Sequence, residues 1–146
     1  MKKFIKSFSI CLIIIAMIST TVFAAAPNDP VDPQSNSYVF KTTVGIAPLG
    51  NGKIEIDFSV TATGKMPDVG ATWVTIYNES GKSVANYRYT DPGYAYMIGH
   101  NSAKHTASVF YQGVSGQRYY AIVTFYAGNL NGSGGGHSME SALIRA

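Results

Sequence analysis

Cysteine is almost missing from this sequence. The one present, Cys11, lies in the apolar run FSICLIIIAMISTTVFAAA that follows MKKFIKS. A basic start, a short apolar run and small residues at its end make a secretory signal peptide. Cleavage is expected after Ala24, with Val22 and Ala24 at the two positions that must be narrow. Cys11 follows Ile10, where lipidation requires a small residue, so a lipoprotein is rejected. The apolar run is barely long enough to cross a bilayer, and no stable membrane span is expected once it is removed. Beyond residue 24 no cysteine remains, which excludes a disulfide scaffold, a thiol nucleophile and a zinc–thiolate site.

Net charge is also missing. The chain has 11 Lys and Arg against 8 Asp and Glu, a formal charge of +3, but Lys2, Lys3 and Lys6 belong to the signal peptide. The remainder carries 8 basic and 8 acidic residues and is neutral, which gives no ground for nucleic-acid binding. The eight acids are scattered through loops and one strand face. Glu55 and Asp57 read as solvated, and Asp68 and Asp91 as turn formers, so no carboxylate pair flanks a cleft. His100 and His105 are five apart, a spacing that places them on opposite faces of a strand. His137 stands alone, and no HxH, HExxH or acid-rich calcium loop is present. No serine sits in a G-x-S-x-G elbow, and nothing after the glycine run at 132–136 makes it a phosphate cradle, so it reads as a flexible loop. No catalytic residue, metal site or cofactor is therefore expected, and a small hydrolase ranks last among the possible functions.

Helical periodicity is absent after the signal peptide. Residues 25–37, with prolines among polar residues, read as an extended leader. From Tyr38 onward the period is two. In KIEIDFSVTA, Ile54, Ile56, Phe58, Val60 and Ala62 alternate with Lys53, Glu55, Asp57, Ser59 and Thr61, the pattern of a half-buried antiparallel strand. Asn51-Gly52 signals a hairpin pairing it with SYVFKTTVGI. ATWVTIYN, SVANYRYT, HTASVFYQ, RYYAIVTFYA and a last stretch around SMESALIR continue the series. Removing 24 of 146 residues leaves 122, enough for one domain. The expected fold is all-β, a single antiparallel β-sandwich of about seven strands spanning 38–146, with a small barrel as the other possibility.

VSGQRYYAIVTFYA resembles the penultimate strand of a fibronectin type III domain, with Val114, Gly116, Tyr119, Ala121, Val123 and Phe125 in the pattern positions. The resemblance implies a tyrosine corner, in which the Tyr119 hydroxyl bonds to upstream backbone. The single tryptophan lies on the third predicted strand, as in immunoglobulin-like domains. More widely, the spacing V-x-A-T-G-x-M, I-Y-x-x-x-G, Y-x-Y-x-D-x-G-Y, H-x-x-S-V-x-Y-x-G-V-x-G and Y-Y-A-x-V-T-F-Y-A is similar to that of a group of short exported proteins of low-GC Gram-positive bacteria. That resemblance implies export and a bacterial source, and carries no active site over to this chain.

Binding is better supported than catalysis. If Tyr119, Ala121, Val123 and Phe125 point inward, then Tyr120, Ile122, Thr124 and Tyr126 point outward. On the neighbouring strand, Val74 and Ile76 alternate with Trp73, Thr75 and Tyr77, so whichever set is inward, large residues face outward. Two arrangements remain open. The segment PGYAYMIGHNSAK covers that outer face, with Tyr94, Tyr96, Met97 and Ile98 as a lid. Alternatively Trp73, Tyr77, Tyr120 and Tyr126 form an open platform, with Tyr94 and Tyr96 framing a groove beside it. An open platform suits a carbohydrate or cell-wall ligand, because sugar rings stack on aromatic faces; a protein partner would use the same aromatic enrichment. The expectation is a secreted or cell-surface binding protein.

Overall fold

Asn51 and Gly52 turn the chain with φ of 54° and 80°. Two consecutive positive φ values are what a type I′ hairpin turn requires, and Asn-Gly supplies them at least cost. The turn joins β1 (Val39–Gly50) to β2 (Lys53–Asn78), with Val44 opposite Phe58 and Ile46 opposite Ile56. The computed structural model describes residues 38–146; the expected signal peptide, the expected leader and Cys11 lie outside the described residues.

Among the described residues all pairing is antiparallel, in one eight-stranded sheet. Its organising element is β2, which is 26 residues long. The first part of β2 pairs with β1 and with β4 (Ile98–Gln112). The last part pairs with β3 (Ser83–Arg88) and β5 (Arg118–Gly128). Three short strands, β6 (Gly134–Gly135), β7 (Ser138–Glu140) and β8 (Ile144–Arg145), run along the free side of β5.

The buried residues of β2 show how one strand serves both halves. Ile54, Ile56, Phe58, Val60 and Ala62 are inward, then Val69 and Ala71, then Val74 and Ile76. The inward positions change from even to odd and back. Each change falls at a break in register, between Thr61 and Met66 against β4 and between Ala71 and Trp73 against β5. Bulges of this kind bend a strand and increase its twist; Gly64 lies in the first, and Pro67 just beyond it. The sheet therefore doubles over, and both halves bury their inner faces in one core with Val109, Met97 and the Tyr119, Ala121, Val123, Phe125 and Ala127 series of β5. Phe58 meets Phe125 edge to face across it, with centroids 6.3 Å apart. Gly70 allows the 97–98 segment to cross β2 closely, since a Cβ there would overlap the Met97 carbonyl.

The all-β, antiparallel expectation holds, and several details change. Among the described residues there are eight strands rather than about seven, and the two layers belong to one curled sheet. KIEIDFSVTA and ATWVTIYN are one strand, so Trp73 lies in the second half of β2 instead of on a third strand. β4 begins at Ile98, the last predicted strand divides into β7 and β8, and the glycine run carries β6 where only a loop was expected.

Tyr119 is buried, and its hydroxyl accepts the Val114 backbone N–H at 2.9 Å while donating to Gln117 Oε1 at 3.0 Å. This ties the β4–β5 loop to the start of β5, as the tyrosine-corner resemblance implied. Tyr119→Phe should lower stability by about 1–2 kcal/mol, because it leaves the Val114 N–H unpaired in a partly buried site. Tyr120→Phe, on the outer face, should change stability by less than about 0.5 kcal/mol. Urea denaturation of both variants checks the pair; equal effects would remove the corner as a structural device.

Candidate functional site

With Val74 and Ile76 in the core, the alternation of β2 sends Trp73, Thr75 and Tyr77 outward. Register places Arg88 of β3 and Thr124 of β5 on either side of Trp73, and Asn86 and Ile122 on either side of Thr75. Tyr77 lies opposite Tyr120, and their rings stack with centroids 5.1 Å apart and planes 12° from parallel. Trp73 keeps 38% of its surface exposed. The Arg88 guanidinium lies 4.1 Å from its ring centroid, a cation–π contact of about 0.5–1 kcal/mol at an exposed site. The indole Nε1–H donates to Asn86 Oδ1 at 3.2 Å, and the Thr75 hydroxyl donates to the same oxygen at 2.9 Å. Asn86 Nδ2 donates in turn to Ser83 Oγ at 3.2 Å. The indole is therefore held in one orientation. The ion pairs among the described residues are His100–Asp68 and Arg118–Glu79, which leaves the Arg88 guanidinium without a carboxylate partner.

Tyr94, Tyr96 and Tyr126 do not join this face. Tyr94 packs on Tyr87 at 4.8 Å and on Tyr96 at 6.1 Å, and Tyr87 lies opposite Val74, on the inner side of β3. The Tyr87 hydroxyl donates to the Phe110 carbonyl at 3.3 Å and the Tyr96 hydroxyl to the Ser108 carbonyl at 3.0 Å. Both carbonyls belong to β4, whose ladder in this region is with β2 alone. Burial pushes both hydroxyls up from the ordinary tyrosine pKa, with smaller contributions from Tyr94, Tyr111 and Tyr96 at Tyr87 and from Tyr94 at Tyr96. The two groups therefore remain protonated donors. They cap an otherwise exposed strand edge, which is one way a sheet avoids pairing with another chain. His105 fixes the same segment, its Nε2 lying 2.8 Å from the Tyr96 carbonyl. The ring and hydrogen-bond contacts of Tyr94 and Tyr96 run to β3 and β4, away from Trp73. Tyr126 is outward on β5 but donates to its own loop at the Asn129 carbonyl, 2.6 Å away.

The histidines are dispersed. His137 Nε2 lies 2.8 Å from Thr42 Oγ1, linking β1 to the segment before β7. His100 Nδ1 is 2.7 Å from Asp68 Oδ1, while His105 faces the other way, as the odd spacing required. Asp68 lies within β2 rather than in a turn, and its Oδ2 accepts the Leu130 backbone N–H at 2.9 Å. Asp91 does shape a turn, its carboxylate accepting the Arg88 N–H at 2.8 Å. Among the described residues no three His, Cys, Asp or Glu come together in a way that could hold a metal ion. Sequence reasoning missed Arg88 and Asn86 as members of the outer face. Their alternation with Tyr87 was visible, but which β3 face pointed outward was not.

No protein-family model and no curated protein matches the chain. Among solved structures, it is similar to the solution NMR structure of a CARDB domain from Pyrococcus furiosus, at 16% identity over 69% of this chain and 92% of that one. The TM-score of 0.34 is too low for that likeness to bear on fold or function.

The Asp68 contacts set a pH dependence. The Leu130 N–H bond lowers the carboxyl pKa below 3.8 most, desolvation opposes it, and the His100 hydrogen bond and charge lower it further. A depressed carboxyl pKa adds stability that is present above the unfolded value and is lost as pH falls through the folded one. Asp68→Asn should therefore be less stable than the parent near neutrality. The gap should close as pH drops below about 4. Denaturation midpoints between pH 7 and pH 2 check this; a constant gap would show that the charge plays no part.

Proposed function

We propose that this chain is an exported bacterial binding protein of the immunoglobulin-like β-sandwich type, acting without catalysis at the cell surface or in the medium. Its ligand face is the outer side of the second layer, around Trp73, Tyr77 and Tyr120. The observation that carries this reading is the open, pre-oriented indole of Trp73, fixed by Asn86 and stacked with a guanidinium that has no acidic partner. Ligand binding to such a surface loses little side-chain entropy, because the rings are already ordered.

A carbohydrate or cell-wall glycan suits this face best. Apolar C–H faces of a sugar pack on the Tyr77–Tyr120 pair, while Asn86, Thr75 and Thr124 supply directional hydrogen bonds at the sides. Arg88 favours a sugar bearing a carboxylate, which a guanidinium engages in a two-point fork. The Tyr119 corner and the tryptophan in the second layer support the immunoglobulin-like reading. Tyr94 and Tyr96 leave the candidate ligand set and are assigned to protecting the β4 edge.

Trp73 is the only tryptophan, so its fluorescence reports on this face alone. Titrating the full chain with peptidoglycan fragments and with neutral and acidic polysaccharides should give a saturable change, larger for the acidic ones. Arg88→Gln should reduce that preference, and Tyr120→Ala should weaken binding about tenfold, equivalent to about 1.4 kcal/mol. No response to any glycan would sink the sugar reading and leave a protein partner for the same surface.

A further inference from the structure

The outer face of the first layer is chemically unlike the second. Across its three strands one row reads Lys41, Thr61, Lys104, and the adjacent row Thr43, Ser59, Thr106. These six residues, with Thr42, line a shallow depression of about 340 Å³. With strands about 4.8 Å apart, the backbones of Lys41 and Lys104 stand about 10 Å apart, one on each side of Thr61. Both lysines are exposed, and neither belongs to an ion pair among the described residues. The hydroxyls are already partly ordered, since Thr106 Oγ1 donates to Ser59 Oγ at 3.2 Å. The nearest acid along the face is Asp57, which precedes Ser59 on β2 and lies about 7 Å from it along the strand.

We propose that this depression binds a phosphate group, held between the ammonium groups of Lys41 and Lys104 and donated to by the hydroxyls of Thr43, Ser59 and Thr61, with Thr106 orienting the Ser59 hydroxyl. Two unpaired cations with hydroxyls between them complement an oxyanion. Two ammonium point charges match a phosphate carrying about −1.5 to −2 better than a singly charged carboxylate. The volume exceeds what a bare phosphate ion fills, so the site takes a phosphate monoester as well as the free ion. Asp57 lies at the far end and repels an anion that strays toward it. The site is on the opposite side of the molecule's core from Trp73 and does not depend on the glycan reading.

The test is a titration of the isotopically labelled full chain with inorganic phosphate and, separately, with glycerol phosphate, followed by backbone amide shifts. Saturable shifts confined to Thr43, Ser59, Thr61 and Thr106 are expected with either probe, tighter for glycerol phosphate if the extra space is used and equal if only the ion is recognised. Lys41→Gln combined with Lys104→Gln should weaken binding at least tenfold while the Tyr119 signals stay in place. Asp57→Asn should tighten it a few-fold, a direction that a general loss of structure does not produce. Shifts that sodium chloride reproduces at equal ionic strength, that persist in the double variant, or that fail to saturate would each overturn the site.

Discussion

Every long strand of this sheet hydrogen-bonds to β2: β1 and β4 along its first part, β3 and β5 along its last, with β4 reaching past the bend. One strand can do this only if it buries a face in each layer, and that requires its inward phase to shift twice. The shifts are placed where the sequence permits them, around Gly64 and Pro67 and again at Thr72. A strand that stayed in phase through residues 62–74 would turn Val69 and Ala71, or Val74 and Ile76, into solvent. The bend is therefore paid for by the core it completes, where Phe58 and Phe125 meet.

The same constraint decides what each outer face presents. On the first part of β2, outward positions are lysine, acids, serine and threonine; on the last part they are Trp73, Thr75 and Tyr77. The molecule thus has a polar, lysine-flanked surface on one layer and an aromatic one with a guanidinium on the other. Between them, the tyrosines of residues 87–96 serve the architecture. The Tyr87 and Tyr96 hydroxyls occupy carbonyls on the β4 edge, and the rings of Tyr87, Tyr94 and Tyr96 pack against one another at the side of the core.

Much of this was legible in the sequence because it rests on local alternation or local turn chemistry. The Asn51-Gly52 hairpin, the inward series of KIEIDFSVTA and of β5, and the Tyr119 corner each follow from residues within one strand or turn. What was not legible depends on long-range register. Period-two reading breaks at a bulge, so one bent strand reads as two. The Asp68 carboxylate reads as a turn former because its partners, His100 and Leu130, are 32 and 62 residues away. The lid-or-platform question around Tyr94 and Tyr96 was set between two uses of the outer face, whereas the Tyr96 hydroxyl reaches β4 and Tyr94 packs on Tyr87 and Tyr96, contacts that no alternation pattern reports.

The central claim is that the second layer presents an open, arginine-stacked tryptophan as a prepared surface. Quenching of Trp73 fluorescence in the ligand-free full chain tests it most directly, with iodide and caesium compared at equal ionic strength. Emission of a partly exposed indole is expected, quenched readily by iodide and much less by caesium because the Arg88 guanidinium sits on the ring. Blue-shifted emission insensitive to both ions would mean that the face is covered, and would contradict it.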